Sequence, residues 1–281
     1  MSARAHDILM ITCRRPAYTK MALERLLATC DDTMRVWIWQ NGDHPDTLEV
    51  IRAFSNHPSF YRLEISSENK QLREPTNWFW SHSDGEYLSK VDDDCLLDDG
   101  WARRLVAAHE ANPRLGIVAA WRFYDDDFDE PAASRKIRVF NGHRLMLNCW
   151  VQGSGYVMKR AVYDDLGPIG PRETFSDYGL RAALRGWVNG WYYPFIHEEH
   201  MDDARSPYYP FRTDEEFRAN LPLTAVNQGI TSLEQWREIS RRLARSLQRA
   251  SPDPRSHVGW RRLRSRIARR IRRLAGNHNF E

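Results

Sequence analysis

Lys90-Val91-Asp92-Asp93-Asp94-Cys95-Leu96-Leu97-Asp98-Asp99-Gly100-Trp101 is the stretch on which the reading of this 281-residue chain turns. Residues 86–91 have the composition of a buried strand, and they run directly into three consecutive aspartates. Carboxylates crowded at a strand end repel one another and are costly unless a cation sits among them. Hard divalent ions such as Mg²⁺ or Mn²⁺ take such oxygen ligands and bridge to phosphates. The bland alternative is an acidic cluster serving the dipole of the helix that follows. Asp98 and Asp99 already stand nearer the start of that helix.

Strand and helix patterns alternate outward from this point. Residues 7–13, 34–40, 60–65 and 115–121 read as strands, and residues 19–30, 47–54, 75–83 and 100–111 as helices. This alternation predicts an α/β fold with a mostly parallel sheet flanked by helices. Ligands bind such sheets where the carboxyl ends of the strands open. The turn Asn41-Gly42-Asp43 and the triple aspartate both fall at strand carboxyl ends, so one rim should carry both. Residues 125–131 (DDDFDEP) read as an exposed acidic loop. A capping pattern at Ser232 opens a further helix with Trp236, Ile239, Leu243 and Leu247 at helical spacing.

The formal charge of +3 conceals an asymmetry: residues 235–281 hold 14 arginines and 3 acidic residues, a net of +11, leaving −8 on residues 1–234. Body and tail therefore face different partners. Hydrophobic residues, at 42%, suffice for a sizeable core. The 4 cysteines show no metal-binding spacing and read as thiols in a reducing compartment. The N-terminal apolar run is too short for a signal-peptide core, and no segment reaches the ~20 apolar residues of a membrane-spanning helix. A cytoplasmic location is expected.

Several segments, in one order, carry a resemblance. Met10-Ile11-Thr12-Cys13-Arg14-Arg15-Pro16, Trp37 to Asp43, Asn69-Lys70 with Thr76-Asn77, the triple aspartate, Gln152-Gly153-Ser154-Gly155-Tyr156 and Phe175-Ser176-Asp177-Tyr178-Gly179-Leu180 resemble, over roughly residues 7–205, the inverting family 2 glycosyltransferases. The resemblance implies a GT-A (Rossmann-like) fold and metal-dependent transfer of a sugar from a nucleoside-diphosphate sugar, UDP by default, to a glycan or lipid-linked glycan hydroxyl. It places Thr12, Arg14, Asn41, Asp43, Asn69, Lys70, Asp92, Asp93, Gly153 and Arg205 around the donor. Asp94 and His200 become Mn²⁺ or Mg²⁺ ligands, with His197 as the rival histidine. Arg205 and Arg212 become pyrophosphate clamps in a loop that orders with the donor, with Tyr208 and Tyr209 as lid residues. Asp177 matches the general base, although Ser176 replaces the family's glutamate, so Glu173 stands in reserve. As an alternative, Asp177 is a helix N-cap. Trp78, Trp80, Trp121 and Trp150 are either sugar platforms or core.

Two divisions are expected: residues 1–230 as the catalytic domain and 231–281 as a helical, arginine-rich extension. Between 258 and 275, Trp260, Leu263, Ile267, Ile271 and Leu274 form one stripe among eight arginines. Such a helix suits an anionic membrane surface better than a nucleic acid. This places the protein peripherally at the inner face of the membrane. The rivals are a sugar-nucleotide nucleotidyltransferase, which would carry a glycine-rich loop where Thr12 to Pro16 stand, and a non-catalytic sugar- or nucleic-acid-binding protein.

Overall fold

The computed structural model describes residues 5–221 and 223–259. Eleven strands are found among them: β1 His6–Thr12, β2 Met34–Asn41, β3 Phe60–Ser66, β4 Tyr87–Asp92, β5 Cys95–Leu97, β6 Leu115–Ala119, β7 Ile137–Phe140, β8 His143–Leu147, β9 Tyr156–Lys159, β10 Val188–Tyr193 and β11 Glu198–His200. The helices are α1 Pro16–Ala28, α2 Pro45–Ala53, α3 Arg73–His82, α4 Trp101–Ala111, α5 Glu130–Ala133, α6 Arg160–Leu166, α7 Phe175–Leu184, α8 Asp214–Ala219, α9 Leu223–Gln228 and α10 Leu233–Arg249.

Nine strands form the main sheet in the order β3-β2-β1-β4-β9-β6-β10-β8-β7. Within it β9 and β8 run against the other strands. The expected α/β fold with a mostly parallel sheet is therefore present. Strand β1 shows why it forms. Every one of its residues is buried, and successive side chains enter opposite layers. Ile8 and Met10 meet α1, α2 and α4 through Leu23, Leu27, Ile51 and Leu105. Leu9 and Ile11 join Phe79, Trp80, Val162 and Tyr178 on the other face. Helices α1 and α2 each begin with a proline in the first turn, where its missing N–H is harmless.

The expected acidic loop at 125–131 is instead a 3-10 turn, Asp125–Asp127, leading into α5. Asp127 is buried, and this segment docks the C-terminal helix. Gln248 on α10 donates to the Asp127 carbonyl at 2.7 Å and accepts from the Asp129 amide at 2.7 Å. Helix α10, the start of the expected extension, thus lies against the body, and His257 beyond it packs edge-on to Trp150. The basic segment expected at 258–275 lies, from residue 260 on, outside the described residues. Among the described residues, no helix is long and apolar enough to cross a membrane.

Candidate functional site

Register places the site. Ile11 pairs with Asp92 and Thr12 with Gln40, so the carboxyl ends of β1, β2 and β4 come level at one rim. There a cleft of about 380 Å³ is lined by Ile11, Thr12, Cys13, Arg15, Asn41, Asn69, Gln71, Leu72, Asp92, Asp93, Asp94 and His200. Its volume falls within the ~300–1,000 Å³ usual for small-molecule sites.

His200 arrives from a distant part of the chain on a short ribbon. Strand β11 pairs antiparallel with β5, setting His200 opposite Cys95, and the Met201 amide donates to the Asp94 carbonyl at 2.8 Å. His200 Nε2 then lies 3.9 Å from Asp94 Oδ1. Asp94, Cys95 and His200 each offer one ligand atom, all within 4.8 Å of one another. The carboxylate oxygen and the imidazole nitrogen are donors that a divalent cation accepts, while burial raises the pKa of the Cys95 thiol and keeps it protonated.

The aspartates differ sharply in environment. Asp92 pairs with the buried Lys90 ammonium, and its amide donates to Ser154 Oγ at 3.0 Å. Burial, together with Asp94 and Asp92 and against the pull of Arg15, pushes the Asp93 carboxyl up to about 7. Burial acts in the same sense on Asp94, but there His200 and Arg15 prevail and hold the carboxyl below its ordinary range.

Arg15 organises the cluster. Its guanidinium reaches Asp94 Oδ2 at 2.7 Å, Asp93 Oδ1 at 3.2 Å and Asp202 Oδ2 at 2.6 Å, and lies 5.1 Å from the Tyr18 ring centre. Sequence reasoning selected Arg14 instead. Arg14 has a left-handed φ of 56° and turns away to donate to His44 Nε2 at 3.2 Å. Asp202 was missed as well. The one available signal was Pro16, whose place at the start of α1 puts Arg15 at the cap, directly over the rim.

Of the expected donor residues, Thr12, Asn41, Asn69, Asp92 and Asp93 are brought together in this cleft with Asp94 and His200. Lys70 contributes its amide, which donates to Asn41 Oδ1 at 2.9 Å, while its ammonium pairs with Glu68 on the surface. Asp43 is exposed outside the cleft. Gly153 is not among the lining residues, and the constrained glycine is Gly155: at φ +59° its Cβ would stand 2.6 Å from Glu198 Oε2. Arg205 is paired with Asp127 and Asp203 at 2.8 Å each, so its charge is already matched and its loop is already anchored. Arg212 donates to the Pro207 carbonyl; Tyr209 is buried and Tyr208 exposed. His197 contacts Glu199 at 3.1 Å, whose carboxylate raises the imidazole pKa, and does not line the cleft. Trp80 and Trp121 belong to the core. Trp78 stacks on His82.

Asp177 and Glu173 line a second, shallow cleft of about 790 Å³ with Gly170, Pro171, Arg172 and Arg181. The N-cap of α7 is Thr174 rather than Asp177. Asp177 completes a capping box from the first turn, its Oδ2 accepting from the Thr174 amide at 3.0 Å and hydroxyl at 2.7 Å. Both Glu173 oxygens accept from Arg181 at 2.8 Å.

With this geometry in place, the sequence profile of Glycosyl transferase family 2 matches residues 7–167, more than half of the chain. The chain belongs to glycosyl transferase family 2. The nucleotidyltransferase alternative is thereby set aside. No curated protein matches the sequence. The mannosyltransferase PcManGT of Pyrobaculum calidifontis, solved with GDP-Man and Mn²⁺, superposes with a TM-score of 0.58 at 15% identity, covering 87% of this chain and 72% of that one. TarS of S. aureus (1–349) superposes with UDP bound at TM-score 0.56 and 11% identity, covering 89% and 88%, and with UDP-GlcNAc bound at 0.54 and 12%, covering 83% and 69%. The fold of this glycosyltransferase is thus of the GT-A type.

Proposed function

We propose that this family 2 enzyme is a metal-dependent, inverting glycosyltransferase that moves a sugar from a nucleoside-diphosphate sugar to a hydroxyl of a glycan or lipid-linked glycan. The observation that carries this reading is the approach of Asp94 and His200 at the β5–β11 ribbon, in the same cleft as Thr12, Asn41 and Asn69. Asp94 and His200 would hold Mn²⁺ or Mg²⁺, with Cys95 beside them, and the ion would supply positive charge to the departing diphosphate. The cation and nucleotide complexes of PcManGT and TarS are consistent with such a donor. UDP remains the default nucleotide, on the family resemblance alone.

Asp177 is the proposed general base. Its carboxylate is exposed and oriented by Thr174, whereas Glu173 is engaged by Arg181 at both oxygens. The proton of an acceptor hydroxyl would pass to Asp177 as the oxygen attacks the anomeric carbon, and a single displacement inverts that centre. The stripe and arginines of residues 258–275 are proposed to hold the enzyme at an anionic membrane surface, at the inner face, where a lipid-linked acceptor would be presented.

The deciding experiment is a thermal-shift screen of nucleoside diphosphates with and without Mn²⁺, followed by donor hydrolysis. Specific binding raises stability by mass action. A Mn²⁺-dependent shift with one base is the expected result; no shift with any base would remove the transferase reading.

A further inference from the structure

Arg15 is placed where two ligands would compete for it. Its guanidinium bridges Asp93, Asp94 and Asp202, at 3.2, 2.7 and 2.6 Å. Asp94 uses Oδ2 for this contact and turns Oδ1 toward His200. The same carboxylate would therefore serve both the arginine and a divalent cation. Two positive charges sharing one carboxylate at such separations repel strongly in a partly buried cleft. The Arg15 side chain is nonetheless 36% exposed, so it reaches the cleft from the mouth and is not sealed beneath it. Its backbone is fixed by the left-handed Arg14 and by Pro16 in the first turn of α1, which leaves the side chain as the part that can swing. A planar guanidinium released from carboxylates finds an equivalent two-point partner in a diphosphate.

We propose that Arg15 makes metal and donor binding cooperative: it neutralises Asp93, Asp94 and Asp202 as an internal counter-cation and passes to the donor diphosphate when a divalent cation takes Asp94. This inference rests on the donor-site reading above and adds an order to it. Each ligand alone must pull Arg15 from its carboxylates, and whichever arrives second finds that step already made. Linkage then requires each to tighten the other by the same factor. Tyr18, whose ring centre lies 5.1 Å from the guanidinium, stabilises the cation in its carboxylate-bound position.

The test is calorimetric or spin-resonance titration of Mn²⁺ into the full-length protein, with and without saturating UDP or GDP. Wild-type protein should bind Mn²⁺ weakly alone and at least about tenfold more tightly with the nucleotide it accepts. Arg15→Met should bind Mn²⁺ alone about tenfold more tightly than wild type, because the competing charge is gone. Its nucleotide enhancement should fall at least threefold. Wild-type enhancement in folded Arg15→Met, or Mn²⁺ affinity that does not rise, overturns the inference while leaving the donor site standing. If Arg15→Met does not fold, Arg15→Lys keeps the charge without the fork and should still lose about threefold of the enhancement; unchanged enhancement there is equally fatal. Wild-type protein that binds neither Mn²⁺ nor nucleotide overturns the donor-site reading and this inference together.

Discussion

His200 Nε2 stands 3.9 Å from Asp94 Oδ1, although 106 positions separate the two residues along the chain, as their numbering shows. The short β5–β11 ribbon alone accounts for the meeting, because pairing Cys95 with His200 fixes the histidine beside the aspartate. Asp94→Ala and His200→Ala should each lose Mn²⁺-dependent nucleotide binding, measured by thermal shift, while retaining the far-UV circular dichroism of the parent. Transfer should fall by at least about 10²-fold, as for lost charge stabilisation at a leaving group. Either variant turning over normally in EDTA would remove the metal assignment.

Asp177→Asn separates two roles that the structure superimposes. Asparagine keeps an oxygen for the Thr174 amide and hydroxyl, so α7 should keep most of its capping. It cannot accept the acceptor's proton, so kcat should drop by about 10²–10⁴-fold with donor affinity intact. Unchanged kcat with a lowered melting temperature would leave only the cap. Glu173→Gln serves as the control, since it disturbs the Arg181 pair without touching the proposed base.

Gly155 should be sensitive to alanine and Gly153 tolerant of it. At Gly155 the backbone links β4 to the residue just past β6, its amide donating to the Lys90 carbonyl at 2.9 Å and its carbonyl accepting from the Ala120 amide at 2.8 Å, so it cannot retreat. A Cβ there meets the fully buried Glu198 carboxylate in a left-handed backbone. Strain and overpacking together should remove about 2–4 kcal/mol. Around Gly153 the nearest atom to a new Cβ is 3.9 Å away, and Gly153→Ala should fall within ~0.5 kcal/mol of the parent. Urea denaturation of the two variants checks both statements.

The contrast between these glycines shows what the sequence could express. The main strands and helices up to residue 121 were legible because residues such as Ile8, Leu9, Met10 and Ile11 enter two layers that both need apolar side chains, whereas β7, β8 and β9 of the main sheet were not read. Strands β5 and β11 were not, since three residues carry no readable period. Neither was the backbone turn at Arg14, which decides that Arg15 and not Arg14 faces the aspartates. The Thr174 cap is written in the sequence as Thr174-Phe175-Ser176-Asp177, a threonine three residues ahead of an acid, whereas the capping alternative placed the cap on Asp177 itself.

Acid should weaken the fold through two buried histidines. Burial lowers the pKa of His109 to about 3 and of His6 to about 4. In the unfolded chain both titrate near 6.5, so between about 6.5 and 4 the unfolded state binds more protons and stability falls as pH falls. Asp93, raised to about 7, acts in the opposite sense over this range, so a variant isolates the effect. The stability difference between wild type and His109→Gln should move by roughly 2 kcal/mol in the variant's favour from pH 7 to pH 5. An equal difference at both pH values would show that His109 is not held neutral.

The tail is tested by a truncation whose position the structure dictates. His257 packs edge-on to Trp150 and its Nε2 lies 2.8 Å from the Ser251 carbonyl, so removal from 255 onward would disturb the body. Deleting 260–281 spares these contacts while removing the Trp260-to-Leu274 stripe and all eight arginines between 261 and 273. Each arginine near an anionic surface contributes attraction of roughly 1 kcal/mol, and salt screens it over ~8 Å at physiological ionic strength. Full-length protein should co-sediment with phosphatidylserine-rich vesicles at low salt and release progressively as salt rises. The truncated protein should stay in the supernatant, keep donor hydrolysis, and lose transfer to a membrane-embedded acceptor. If full-length protein ignores the vesicles but binds duplex DNA or RNA at physiological salt, the arginines serve a nucleic acid, and the membrane assignment fails while the donor site is untouched.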